Sequence, residues 1–141
     1  MATLVGEFES SGIKFRVFIY EFCEPGDEVY AVVIQFVGSY GYGSAGNGDA
    51  QYMIAIREYI LECINLNAFV FDLRELDYEW GNAIWWLFSL HPDDPPFATI
   101  VSERCKGFQT CGVARPMFET LESALEFLRP LAIEHDRAMG E

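Results

Sequence analysis

The segment from Ala68 to Leu87, AFVFDLRELDYEWGNAIWWL, constrains this chain more than any other: an apolar strand runs into an acidic turn that opens a helix. Ala68 to Leu73 is a continuous β-favouring run broken only by Asp72, the pattern of a central strand covered on both faces. Residues 72 to 79 then set Asp72, Glu75, Asp77 and Glu79 against the single Arg74, and Gly81-Asn82 leads into the apolar run from Ala83 to Phe88. Carboxylates and tryptophans therefore meet at one strand-to-helix junction.

The flanking sequence supplies the rest of a sheet. Ile13 to Phe22 alternates Ile13, Phe15, Val17 and Ile19 with Lys14, Arg16, Phe18 and Tyr20, the period of a strand with one face in the core. Pro25-Gly26-Asp27 is turn chemistry, and Val29 to Val37 is a second strand, so an antiparallel hairpin is expected. Leu4 to Phe8 is a candidate edge strand. After a Gly-rich stretch, Ala50 to Asn65 places Met53, Ile56, Ile60, Leu61 and Ile64 at helical spacing. The second helix must end near Leu90, because prolines at 92, 95 and 96 forbid its continuation. Phe97 to Val101 and Val113 to Met117 read as short strands, and Thr120 can cap a last helix that Pro130 should kink or restart. The expected architecture is α/β: a mixed sheet of about four to five strands with about three α-helices packed on it, in one domain over residues 1 to 141.

Composition narrows the function. At 141 residues the chain can bury about two-thirds of its unfolded surface, and 51% hydrophobic residues exclude a disordered tail. No run approaches the roughly 18 apolar residues of a membrane span, and the start MATLVGEFESSG lacks the basic and apolar regions of a signal peptide, so a cytoplasmic protein is expected. Cys23, Cys63, Cys105 and Cys111 form no C-x-x-C pair and read as free thiols, mostly buried. A net charge of -13 argues against nucleic acid and anionic membranes and for a basic partner protein.

In layout, the strand, turn and helix around Asp72 resemble the centre of STAS domains, the family of anti-sigma-factor antagonists, whose pattern runs roughly V-V-x-D-L-x-x-V-x-x-I-D-S-S-G. The element order, the Gly-rich lead into a first helix and the ending GVARPMFETLESALEFL resemble that family too, over about residues 13 to 129. The resemblance implies a STAS-like fold and a protein-interaction role. It also implies a phosphorylatable serine at the start of the second helix, but Tyr78-Glu79-Trp80-Gly81-Asn82-Ala83 holds no Ser or Thr. The regulatory chemistry is thus expected to be absent while the interaction surface persists.

Other motifs have plainer readings. Gly41-Tyr42-Gly43-Ser44-Ala45-Gly46 matches G-x-G-x-x-G, yet its strand belongs to a hairpin and Asp72 lies 31 residues beyond Gly41 where roughly 20 is expected. It reads as a flexible loop, able to touch a partner through Tyr40 and Tyr42. His91, Asp93 and Asp94 precede prolines and read as a solvated loop, and no catalytic triad spacing is recognisable. Helical spacing puts Trp85 in the core with Phe88, and leaves Trp80 and Trp86 divided between core and surface. Arg104, Lys106 and Arg115 read as local charge balance.

The candidate partner-binding residues are therefore Asp72, Glu75, Asp77, Tyr78, Glu79, Trp80, Asn82 and Trp86 at the junction, with Tyr40 and Tyr42 from the loop. The leading expectation is a non-enzymatic domain masking a basic partner, an immunity-type protein neutralising a toxin. An antagonist-like regulator in a signalling pathway is the alternative, and a nucleotide or small-molecule binder using the Gly-rich loop is the third. No cofactor or metal is expected, and a homo-oligomer is left open.

Overall fold

The computed structural model describes residues 3–7, 12–22, 28–79, 81, 83–110 and 116–140. Seven strands form one mixed sheet: β1 (Thr3–Glu7), β2 (Lys14–Glu21), β3 (Tyr30–Ser39), β4 (Ala68–Asp72), β5 (Leu76–Asp77), β6 (Phe97–Ile100) and β7 (Met117–Phe118). Their order is β1-β2-β3-β4-β6-β7, with β5 continuing beside the end of β3. β1, β2 and β3 pair antiparallel. β3, β4, β6 and β7 run parallel, so their carboxyl ends gather along one rim.

The central strand is as buried as its sequence demands: Ala68 to Asp72 are covered on both faces. Large side chains of one face, Ile34, Phe36, Phe69 and Phe71, pack with Met53, Ile56 and Ile60 of helix α1 (Asn47–Cys63). The other face carries small residues, Ala31, Ala68, Val70 and Ala98, against Ala124, Leu128 and Ala132 of helix α2 (Leu121–Gly140). Small residues on both sides let that helix approach the sheet closely. Thr120 caps it as expected, its Oγ accepting the Ser123 amide at 3.1 Å.

Three elements differ from the sequence reading. The segment Ala83–Phe88 is a 3-10 helix, where side chains three apart eclipse. Ile84 and Leu87 take its core face, leaving Trp86 67% exposed and Trp85 36% exposed, so Trp85 is not the core residue that α-helical phasing implied. The last helix runs as one element through Pro130, so it does not restart there; burial of Leu128 and Ala132 on either side anchors both halves to the sheet. And β3, although it closes the hairpin, is also the first strand of a β3-α1-β4 unit, so the Gly-rich connection does join a strand to a helix within a parallel unit. The Pro25-Gly26-Asp27 turn and residues 113 to 115 of the expected last strand lie outside the described residues.

Candidate functional site: the rim of the parallel strands

The Gly-rich connection is built for close packing. Its strand ends at Ser39, and Tyr40 turns inward to 3% exposure. A Cβ on Gly46 would stand 2.2 Å from Tyr40 Cε1, so only glycine lets the ring lie there. The Gly41 amide, which a phosphate would need, donates instead to Asp49 in the first turn of α1 at 3.0 Å. An acid already holds the anion-binding position.

The acidic turn is pinned from several directions. Backbone hydrogen bonds join Gly38 to Glu75 and Tyr40 to Asp77 at 3.1 and 2.9 Å, making β5 an extension of the sheet. Cys105 donates its thiol to the Leu73 carbonyl at 2.7 Å and meets the Leu76 carbonyl at 3.2 Å; burial pushes this thiol up from its ordinary pKa. Tyr78, 2% exposed, stacks on Phe108 with centroids 4.3 Å apart and receives Tyr40 edge-on at 5.2 Å. Its hydroxyl donates to the Gly81 carbonyl. Gly81 has φ +136, a conformation other residues resist, and a Cβ there would also crowd Tyr40 at 3.2 Å.

Two acids of the turn are spoken for. Asp72 is 3% exposed and accepts Arg74 bidentately, at 3.0 and 2.8 Å, with Gln35 at 3.4 Å. That hydrogen bonding raises the Arg74 pKa. Asp77 is exposed and holds Arg104 through Nε at 2.7 Å and Nη2 at 3.0 Å. The Arg104 hydrogen bonds lower the Asp77 pKa, and the same pair raises that of Arg104. Beside this pair lies an open cavity of about 650 Å³, lined by Ser39, Tyr40, Gly41, Tyr42, Asp77, Tyr78, Glu79, Glu103 and Arg104. Glu75 and Glu79 are exposed and, among the described residues, no cation pairs with either.

The structure thus separates the sequence candidates. Glu75, Asp77, Glu79, Trp86 and Tyr42 are on the surface, whereas Asp72, Tyr40 and Tyr78 are beneath it and shape the rim from below. Trp80 and Asn82 lie outside the described residues, as do Cys23, Cys111, Arg115 and the Lys106 side chain. Of the remaining thiols Cys105 is buried and Cys63 exposed. His91 accepts the Asp93 amide and donates its own to Asp94 in an exposed turn, at 3.1 and 2.9 Å. Among the described residues no group of three or more His, Cys, Asp or Glu could hold a metal, and no helix is long and apolar enough to cross a membrane.

One residue escaped the sequence reading. Arg57 of α1 is 6% exposed and sends Nη1 to the carbonyls of Trp86 and Leu87 at 2.8 and 2.7 Å. Glu58 holds it from outside, at 3.1 and 2.5 Å from Nε and Nη2. A lone arginine among Met53, Ile56 and Ile60 was the available signal.

A crystal structure of an anti-sigma factor antagonist from Mycobacterium paratuberculosis superposes on this chain with a TM-score of 0.55, covering 86% of this chain and 97% of that one at 15% identity. The fold is STAS-like. Identity this low speaks for architecture alone. No family model matches the chain, and no curated protein matches it significantly in sequence.

Proposed function

We propose that this STAS-like chain is a non-enzymatic, cytoplasmic protein-binding domain, a regulator of the anti-sigma-factor-antagonist kind, whose partner is basic where it meets the rim. The observation that carries the reading is the exposed Trp86, with Trp85 beside it, on an element that follows directly from the acidic turn. Exposed carboxylates at Glu75 and Glu79, neither in an ion pair among the described residues, steer a basic surface toward the rim, and an aromatic anchor retains it. The fold comparison favours regulation over the immunity role anticipated from charge, which gains no support from it. Regulation by a kinase would have to use another residue, since the turn from Tyr78 to Ala83 offers only the buried hydroxyl of Tyr78.

Affinity capture with the parent chain, a Glu75→Lys/Glu79→Lys variant and a Trp86→Ala variant tests this. The partner is the protein that the parent retains and both variants lose. With it in hand, the charge reversals should slow association and flatten its salt dependence, whereas Trp86→Ala should raise the dissociation rate by about 30-fold or more, the equivalent of roughly 2 kcal/mol. Identical capture by all three folded chains would sink the proposed surface.

A further inference from the structure

Arg57 is a charged side chain placed where charge is expensive. It is 6% exposed, and its helix turns the rest of that face into the core. Its contacts explain the expense. The last carbonyls of the 3-10 helix Ala83–Phe88 have few intrahelical partners, and Arg57 Nη1 reaches two of them: that of Trp86, which the Ser89 amide also reaches, at 2.8 Å, and that of Leu87 at 2.7 Å. A guanidinium there also complements the negative end of the short helix. Glu58, exposed, fixes the same guanidinium by two further contacts, at 3.1 and 2.5 Å.

We infer that Arg57, held by Glu58, is the positioning residue of the partner-binding surface: it fixes the backbone from which Trp85 and Trp86 project. This rests on the reading of that surface as the interface. A six-residue 3-10 helix has poor internal geometry and little stability of its own. Two exposed indoles on such an element would sample several orientations and lose more freedom on binding. Clamping the carbonyl of Trp86 itself, from a long helix seated on the sheet, gives the indole a fixed base and lowers that cost. Lysine cannot replace the clamp, because one ammonium lacks the rigid fork that serves both carbonyls and Glu58 together.

The free chain suffices for the test, so its outcome is independent of whether a partner is found. The Ser89 amide donates to the Trp86 carbonyl at 3.2 Å and reports whether that carbonyl stays in place. Hydrogen exchange of Ser89 and acrylamide quenching of tryptophan fluorescence are measured in Arg57→Lys, Arg57→Met and Glu58→Gln. Trp86→Phe, in each background, isolates the Trp86 signal. In Arg57→Lys, and more in Arg57→Met, Ser89 exchange should quicken about tenfold or more and Trp86 quenching should rise, while amides in α2 keep parental protection. Glu58→Gln should show the same local pattern in weaker form with an unchanged melting temperature. If exchange quickens uniformly across the chain, Arg57 only supports the fold and the inference fails. If Ser89 and Trp86 stay parental in folded Arg57→Lys and Glu58→Gln, it fails as well. Loss of Trp86-dependent capture with these local changes absent would refute the inference and leave the interface reading standing.

Discussion

Two tyrosines in edge contact should answer the same substitution oppositely. Tyr78 and Tyr40 lie 5.2 Å apart, both almost fully buried. The Tyr78 hydroxyl donates to the buried Gly81 carbonyl, so Tyr78→Phe keeps the stacking on Phe108 and removes one hydrogen bond. A buried carbonyl that loses its donor costs about 1–3 kcal/mol. The Tyr40 hydroxyl has no hydrogen-bond partner among the described residues, although the Ile84 backbone favours its phenolate. Removing that hydroxyl relieves a buried polar atom at little loss, so Tyr40→Phe should fall within about 0.5 kcal/mol of the parent or above it. With an unfolding entropy of about 2.1 cal/mol/K per residue, a chain this long changes by roughly 0.3 kcal/mol per degree. Tyr78→Phe at about 2 kcal/mol should therefore melt about 6–7 °C lower, and Tyr40→Phe within about 2 °C. Calorimetry and urea titration with matched m-values provide the assay. Equal destabilisation by both substitutions would refute the reasoning, since it would mean that ring packing or solvation, rather than the Gly81 hydrogen bond, sets their energetics.

Titration adds two expectations. Burial pushes the Tyr40 pKa up from 10.0 to about 12, so the folded state resists its ionisation and stability falls as pH rises from 10 toward 12; Tyr40→Phe should lose stability less steeply than the parent over that window in urea titrations. The Asp77 pKa is lowered by Arg104, so that pair stabilises the fold above the ordinary carboxylate value of 3.8 and is lost as pH falls through the lowered one. Arg104→Gln should melt closer to the parent at pH 3 than at pH 7, and an unchanged difference would show the pair contributes nothing in solution.

The periodic parts of the fold were legible. β2 alternates, α1 repeats its apolar residues at helical spacing, and β3 and β4 are runs of mostly apolar residues, so each states its environment locally. The short elements were not. Six residues rich in aromatics cannot distinguish a 3-10 from an α-helix by pattern, and that difference of phase is what brings Trp85 to the surface. Pro130 reads as a kink or restart because its cost is local, while the burial that keeps the helix in one piece comes from strands including β4 and β6. The parallel role of β3 was hidden by its hairpin, since one strand has two edges and the sequence shows only the nearer partner.

Within the site the same limit takes an electrostatic form. Asp72, Glu75, Asp77 and Glu79 look alike in a turn of eight residues, and nothing local says which carboxylate is available. What separates them is whether a cation or a buried donor reaches them: Arg74 and Gln35 take Asp72, and Arg104, from a segment 27 residues away, takes Asp77. An interface built on this turn therefore draws its steering charge from Glu79, and from Glu75, which feels Arg74 and Arg104 nearby; neither forms an ion pair among the described residues. Asp77 contributes differently, by holding Arg104 at the mouth of the cavity. Substituting it frees a cation into the rim and weakens attraction to a basic partner twice over, once by the lost carboxylate and once by the unmasked guanidinium. Asp77→Ala should consequently slow partner association more than Glu79→Ala does, and the excess should vanish when Arg104→Gln is added; equal effects of the two single substitutions would show that Arg104 lies too far from the contact to be felt.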